Sequence, residues 1–400
     1  MRILPAGIFA LLLCLGFSCT EKEKPISAVL PTSNESRFSC TQHEILRDKI
    51  PFQVKGVVYV PFLPGQLPWD IENATNIPQA LKTRIDSDLE NLHSMGANTI
   101  RLWGPPAYVY EALQKRTDDM AIVQTLWIGS PGDLQDPSFK ENTKAGFRTV
   151  IDRIYRFWPK RNPPILAYLA GNEISHESMA ATNSKHPEIH SFLGQYVRTG
   201  DNCTATEAFL AEMVDYIKTY DKTKSGKIPL VSYSNDIREP GLNTGFMDFQ
   251  SENAYSYAVP FYRPNTKPGS VSGTQFQGWI EEVKARVPSK PLLITETGLS
   301  VSPMAGHVGP PAYGYGGNTE TEQADGILSN LQDIETTAFP TAGVCIHEYQ
   351  DAWWKYDTED SKTQDPADIE EWFGLVKIEE NGSSVKVRPV FDRIKTRWSR

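Results

Sequence analysis

From about residue 52 the chain repeats one pattern. A short, almost wholly apolar run is followed by a longer stretch whose apolar residues recur every three or four places. The apolar runs are QVKGVVYV (53–60), ANTIRLW (97–103), AIVQTLWI (121–128), ILAYLAGNE (165–173), IPLVSYS (228–234), MDFQSENAY (247–255), PLLITET (291–297) and AGVCIHEY (342–349). Between them lie helical patterns such as LKTRIDSDLENLHSMG, KAGFRTVIDRIYRFW, ATEAFLAEMVDYIKTY and QGWIEEVKARV, and PVFDRIKTRW follows the last. Strands that carry little polar alternation are buried on both faces, which requires parallel pairing and crossover helices. Eight strand–helix units predict a (β/α)8 barrel of the TIM type, in a single domain over 46–400. The competitor is a doubly wound sheet. The first strand, however, runs into VPFLPGQLPWD, a loop with three prolines, where a dinucleotide fold places a glycine-rich phosphate turn.

The 400 residues are 40% hydrophobic and 22% charged, enough apolar material for a sizeable core. The net charge is −9, and Lys and Arg do not cluster before the short C-terminal RIKTRWSR. That balance argues against a phosphate backbone as partner and suits a neutral substrate. Nine Trp, sixteen Tyr and seventeen Phe suit a sugar-facing surface as well as a core, because a ring face matches the apolar face of a pyranose.

The N-terminus, MRILPAGIFALLLCLGFSC, has one positive charge, then an apolar run too short to span a bilayer, then small residues before Cys19. Residues 1–18 are expected to be a signal peptide and 19–45 a polar tether. The Ser18-Cys19 junction followed by TEKEKP resembles that of bacterial lipoproteins, with Gly16 where leucine is usual. The resemblance implies lipidation of Cys19 and anchoring of an exported protein to the bilayer of the cell envelope; ordinary secretion is the alternative. Of the remaining cysteines, Cys40 and Cys203 are the expected disulfide pair in an oxidising compartment, because Cys345 sits in a buried-looking strand. Neither the cysteines nor His93, His176, His186, His190 and His347 have metal-ligand spacing, so no metal and no cofactor is expected.

In such a barrel the chemistry gathers at the C-terminal ends of the strands. Asn172 and Glu173 end the fourth strand, and Glu296 ends the seventh. Two carboxyl groups sharing one cleft are the parts for glycosidic cleavage: one protonated to donate to the leaving oxygen, one ionised to attack the anomeric carbon. A separation of about 5–5.5 Å between them gives a covalent glycosyl-enzyme and retention.

These residues resemble the retaining clan A glycoside hydrolases, whose barrels carry Asn-Glu after strand four and a glutamate after strand seven. The resemblance runs from about residue 52 to 396. It implies Glu173 as acid/base, Glu296 as nucleophile, and Asn172 as partner of the sugar 2-hydroxyl. It further implies Arg101, in NTIRLWG, as the cation that keeps Glu296 ionised, and Tyr255, in SENAYSY, as its hydrogen-bond donor, with Tyr257 as substitute. Glu252 is a third carboxylate expected to bond sugar hydroxyls. One of Trp353 and Trp354 is expected to floor the innermost sugar site. Tyr59, Trp103 and Trp127 stand near strand ends as stacking candidates. KGVVYVP, DLENLHSMGANTIRLWG, GKIPLVSYSND and NAYSY look closest to the β-1,3-glucan-active branch, including glucanosyltransferases. The nucleophile stretch here is TETG where that branch has SEYG. The β-glucuronidase and β-galactosidase branch is similar too, but no jelly-roll domain precedes this barrel.

The expected activity is therefore hydrolysis of a β-linked oligo- or polysaccharide, β-glucan favoured, by a monomer with no nucleic-acid partner. The alternatives are transglycosylation at the same site, a non-catalytic glycan-binding lipoprotein, and a metal-dependent barrel hydrolase.

Overall fold

The computed structural model describes residues 36–399 other than 75, 160–161, 239–241, 356–360, 380–381 and 383. The signal stretch 1–18, Cys19 and the greater part of the tether lie outside these residues. Eight parallel strands close into a barrel: β1 (Val54–Val58), β2 (Thr99–Leu102), β3 (Ala121–Leu126), β4 (Ile165–Asn172), β5 (Val231–Asp236), β6 (Gln250–Asn253), β7 (Leu292–Thr297) and β8 (Gly343–Ile346). Each pairs with the next in sequence, and β8 closes on β1. Every apolar run read from the sequence lies on one of these strands.

The outer layer is α1 (Gln79–Ser94), α2 (Ala107–Lys115), α3 (Pro137–Phe157), α4 (Ala205–Ser225), α5 (Gln275–Arg286), α6 (Glu320–Glu335) and α7 (Pro389–Trp398). On α1 the buried residues Leu81, Ile85, Leu89 and Leu92 recur at helical spacing and face the barrel. Thr204 and Thr319 open α4 and α6 with capping boxes, each exchanging bonds with a glutamate three residues on. One expected unit is missing: among the described residues, no helix links β5 to β6. That connection carries Pro240, Gly241 and Gly245, which interrupt a helical run. No helix among the described residues is long and apolar enough to cross a membrane.

The tether expected through residue 45 is folded in its last part. Phe38–Cys40, Ile45–Arg47 and Ile50–Pro51 form a small antiparallel sheet. It buries Phe38, Ile45 and Phe52, with the two phenylalanine rings 5.8 Å apart. Arg37 and Arg47 pair with Asp119, just ahead of β3, and Gln42 donates to the Pro288 carbonyl, just ahead of β7. The sheet thus closes the N-terminal mouth of the barrel.

This placement corrects the expected disulfide. Cys40 lies in that sheet, whereas Cys203 stands at the head of α4, beyond the opposite end of the strands. Both are free thiols, as is Cys345 inside β8. A disulfide needs Cα atoms within about 7 Å, and the height of the barrel separates these two.

Candidate active site

Near its C-terminal end the barrel interior stops being apolar. Arg101 of β2 is fully buried there and spreads its guanidinium over four strands. Nη1 donates to Glu296 Oε1 at 2.7 Å, to the Thr295 carbonyl at 2.9 Å and to Asn253 Oδ1 at 3.3 Å. Nη2 donates to Asn172 Oδ1 at 2.7 Å. A buried charge is tolerated only when paired and hydrogen-bonded, and both conditions are met.

Glu296 takes a second bond from the Tyr255 hydroxyl, at 2.7 Å on Oε2. A guanidinium on one oxygen and a phenol on the other is the surrounding of a carboxylate anion. The β7 register shifts between Ile294 and Glu296. That irregularity brings the adjacent side chains of Thr295 and Glu296 to the same Arg101–Asn253 pair, which an unbroken strand would point to opposite faces. Gly298 follows, where an added Cβ would lie 2.0 Å from the His347 carbonyl oxygen. Only glycine lets the ends of β7 and β8 approach so closely, and this is why the nucleophile stretch ends in Gly.

Glu173 is positioned by a similar device on β4. The register shifts between Leu169 and Asn172, Gly171 has φ +96° and Glu173 itself φ +44°. The bulge turns both Asn172 and Glu173 toward the opening. Glycine takes the left-handed conformation freely; a glutamate there is under local strain, of a kind concentrated at functional sites. Asn253 Nδ2 donates to Glu173 Oε1 at 2.9 Å and to Asn172 Oδ1 at 3.0 Å. Burial, the charge of Glu296 and that of Asp236 push the Glu173 carboxyl up to about 8, against the lowering pull of Asn253 and Arg238. At neutral pH it keeps its proton.

Arg101, Asn172, Glu173, Tyr255 and Glu296 therefore converge as the sequence led one to expect. Glu252 does not join them. It faces the helix layer, bonding Asn235 Nδ2 at 3.0 Å and feeling Arg286 of α5, and burial raises its carboxyl to about 7. Its neighbour Asn253 holds the inward place. Trp353 and Trp354 are both buried, and Trp354 packs edge-on against Trp69 and Trp103. The ring beside the nucleophile is instead His347, stacked on Trp103 with centroids 5.5 Å apart and Nδ1 3.8 Å from Glu296 Oε2. Tyr59 is core, its hydroxyl on Asp88. Trp127 and Trp69 are roughly half exposed at the rim. No metal-binding group of three His, Cys, Asp or Glu occurs among the described residues.

No protein-family model matches the chain, and no curated protein sequence matches it. Solved structures do. A GH2 β-galacturonidase from Eisenbergiella tayi shares 15% identity at a TM-score of 0.57, over 91% of this chain and 53% of that one. The β-glucuronidase of an uncultured Clostridium sp. shares 17% at 0.57, over 90% and 53%, and that of Ruminococcus gnavus 14% at 0.57, over 90% and 52%. The chain spans about half the length of these structures. The likeness is one of fold, the (β/α)8 barrel.

Proposed function

We propose that the chain is a retaining β-glycoside hydrolase. The observation that carries this reading is the pairing of a protonated Glu173 with a Glu296 carboxylate clamped by Arg101 and Tyr255, the two joined through Asn253 at one end of the barrel. Glu173 donates its proton to the glycosidic oxygen while Glu296 attacks the anomeric carbon. The bond to the leaving sugar breaks and a glycosyl ester forms on Glu296. Glu173, now ionised, takes a proton from water as the water oxygen attacks the anomeric carbon and frees Glu296. The Asn172 oxygen is occupied by Arg101 and Asn253, which leaves its NH2 to donate to the substrate. This agrees with the 2-hydroxyl role that the clan resemblance implies.

The substrate we propose is a neutral β-linked glycan, β-glucan favoured, although the similar solved structures are uronidases. A uronate needs a cation for its carboxylate. Arg101 is matched by Glu296, Arg238 by Asp236 at 2.7 Å, and Lys355 by Glu348 at 2.7 Å. Exposed Trp69, Trp127, Phe261 and Tyr262, all in segments that follow the C-terminal strand ends, Trp69 on the short helix Pro68–Asn73 and Phe261 and Tyr262 on Val259–Tyr262, suit successive sugar units of a chain. Transfer to a second sugar uses the same two glutamates and differs only in the acceptor.

The test is a panel of aryl β-glycosides and β-linked glucans, mannans, galactans and xylans, with product sizing. A 2-fluoro glycoside should add one glycosyl unit to Glu296, read by peptide mass. Turnover without such an adduct, or of β-glucuronides alone, overturns the reading. We also propose, from residues 1–19, export and lipid anchoring through Cys19. Labelling with radioactive palmitate should vanish in Cys19→Ser.

A further inference from the structure

Resting on that reading, we propose that Lys355 holds His347 as its Nδ1–H tautomer, which makes His347 a hydrogen-bond donor to a hydroxyl of the sugar bound beside Glu296. His347 follows β8 and is 98% buried, at 2% exposure. Its ring cannot swing: Trp103 stacks on it, Phe373 meets it edge-on at 5.2 Å, and Tyr255 does so at 6.3 Å. Nε2 lies 2.9 Å from Lys355 Nζ. An ammonium has hydrogens and no lone pair, so Nε2 has to be the acceptor. The ring proton then resides on Nδ1.

Nδ1 is buried and has no hydrogen-bond partner among the described residues. Glu296 Oε2 is 3.8 Å away, beyond hydrogen-bond reach. Leaving a buried donor unmade is costly, and such exceptions need a cause. Here the donor points at the cleft side of the nucleophile, where a sugar hydroxyl completes it. The other tautomer would set N–H against N–H at Lys355 and a lone pair against the Glu296 anion; Glu348 Oε1 lies 3.4 Å from Nε2 but makes no hydrogen bond to the ring, its bond going to Lys355.

The groups facing His347 keep it neutral. Burial first, and then the positive charges of Lys355 and Arg101, hold the imidazole well below its usual range. Lys355 remains an ammonium. Burial alone would lower it, but Glu348 and Glu370, on Nζ at 2.7 and 3.3 Å, outweigh that and raise it. Glu348, Glu370, Glu296 and Tyr255 are the remaining titratable neighbours, and the Trp103 ring face lies 5.1 Å from the Lys355 charge. Lys355 is thus a positioning residue that acts through His347.

The test uses the full chain labelled with 15N-histidine, His347 being assigned through His347→Gln. Long-range 1H–15N correlations should show Nδ1 protonated and Nε2 bare from pH 5 to 9. Lys355→Met should convert His347 to the Nε2–H form or make it titrate within that range. An Nε2–H ring in the wild type, or one that charges near pH 6, overturns the proposal, as does an unchanged ring in Lys355→Met. With 4-nitrophenyl β-D-glucopyranoside, His347→Asn, whose amide NH2 sits at the place of Nδ1, should retain kcat/KM within about threefold. His347→Gln, whose NH2 sits at the place of Nε2, should lose about tenfold, chiefly in KM. Equal losses overturn the donor role. Absence of turnover on every substrate of the panel overturns the glycosidase reading and the hydroxyl contact with it, while the tautomer is still decided by the nitrogen shifts.

Discussion

Asn253 donates to Glu173 Oε1 at 2.9 Å with the same amide whose oxygen accepts from Arg101, the cation on Glu296. The acid and the nucleophile are therefore separated by one amide and one guanidinium. The bond also selects the proton's place: with Oε1 accepting, the Glu173 hydrogen belongs on Oε2. Ser234 and Thr295 donate to the Asn253 oxygen at 2.8 and 2.9 Å and fix which way the amide faces.

Asn253→Ala should lower kcat/KM by about 10²-fold, in the range of a lost preorganised hydrogen bond. It should also move the alkaline limb of the pH profile upward, because the bond from Asn253 lowers the Glu173 carboxyl. A limb that stays in place or moves down would show that the amide does not reach the acid. The measurement is kcat/KM against pH on one aryl glycoside.

For the wild type, the Glu173 carboxyl at about 8 predicts that kcat/KM falls as pH rises through that value, about tenfold per unit beyond it. The same elevation costs stability. Between the ordinary carboxylate range and pH 8 the unfolded chain releases a proton that the folded one keeps, so stability declines with rising pH over that window. Glu173→Gln should abolish this loss and raise Tm by a few degrees at pH 8.5, with little change at pH 4. Calorimetry at the two pH values checks it.

Glu173→Ala should reduce turnover of natural glycans by about 10³-fold, while glycosides with activated aryl leaving groups, which need no proton, lose far less in the first step. Azide, small and anionic, should partly restore the latter by taking the vacated place and attacking the glycosyl ester. Equal losses with no azide effect would remove Glu173 from the acid/base role.

Glu296→Gln should reduce turnover to background, at least ~10⁴-fold below the wild type. It should also lower Tm, because Arg101 then keeps a buried charge without its counter-ion. Breaking a buried pair costs about 3–5 kcal/mol when one partner is removed outright, and the amide, which still accepts a bond, should cost less. Arg101→Met with Glu296→Gln should recover part of the loss relative to either single change, as thermal unfolding of the set would show.

The barrel was legible because its strands are buried on both faces and read as continuous apolar runs, with helices at a different period between them. Asn172, Glu173, Arg101, Tyr255 and Glu296 were legible for the complementary reason, as polar residues interrupting such runs at their C-terminal ends. What failed was the choice of face. In QSEN neither residue is apolar, so nothing local says whether Glu252 or Asn253 looks inward. Tyr255 does say so, since period two puts Asn253 on its side of the strand and Glu252 on the other. Trp353 and Trp354 are large rings after β8, but both are buried, and the place beside Glu296 belongs to His347, several residues earlier and directly after β8. Lys355 directly after the two tryptophans was the clue available in the sequence: a lysine in such company needs carboxylates, and Glu348 was within reach. Eight strands invite eight helices, but Pro240 and Gly241 argue against one between β5 and β6, where none occurs among the described residues. The expected Cys40–Cys203 disulfide does not form, because spacing along a chain carries no information about which end of a barrel a cysteine occupies.

The small antiparallel sheet at the N-terminal mouth fixes a direction for the whole molecule. Arg37 and the strand that follows it pack on the side of the barrel away from Glu173 and Glu296. Under the proposed function, a glycan that enters at the strand ends carrying Glu173 and Glu296 meets neither this sheet nor its pairing with Asp119.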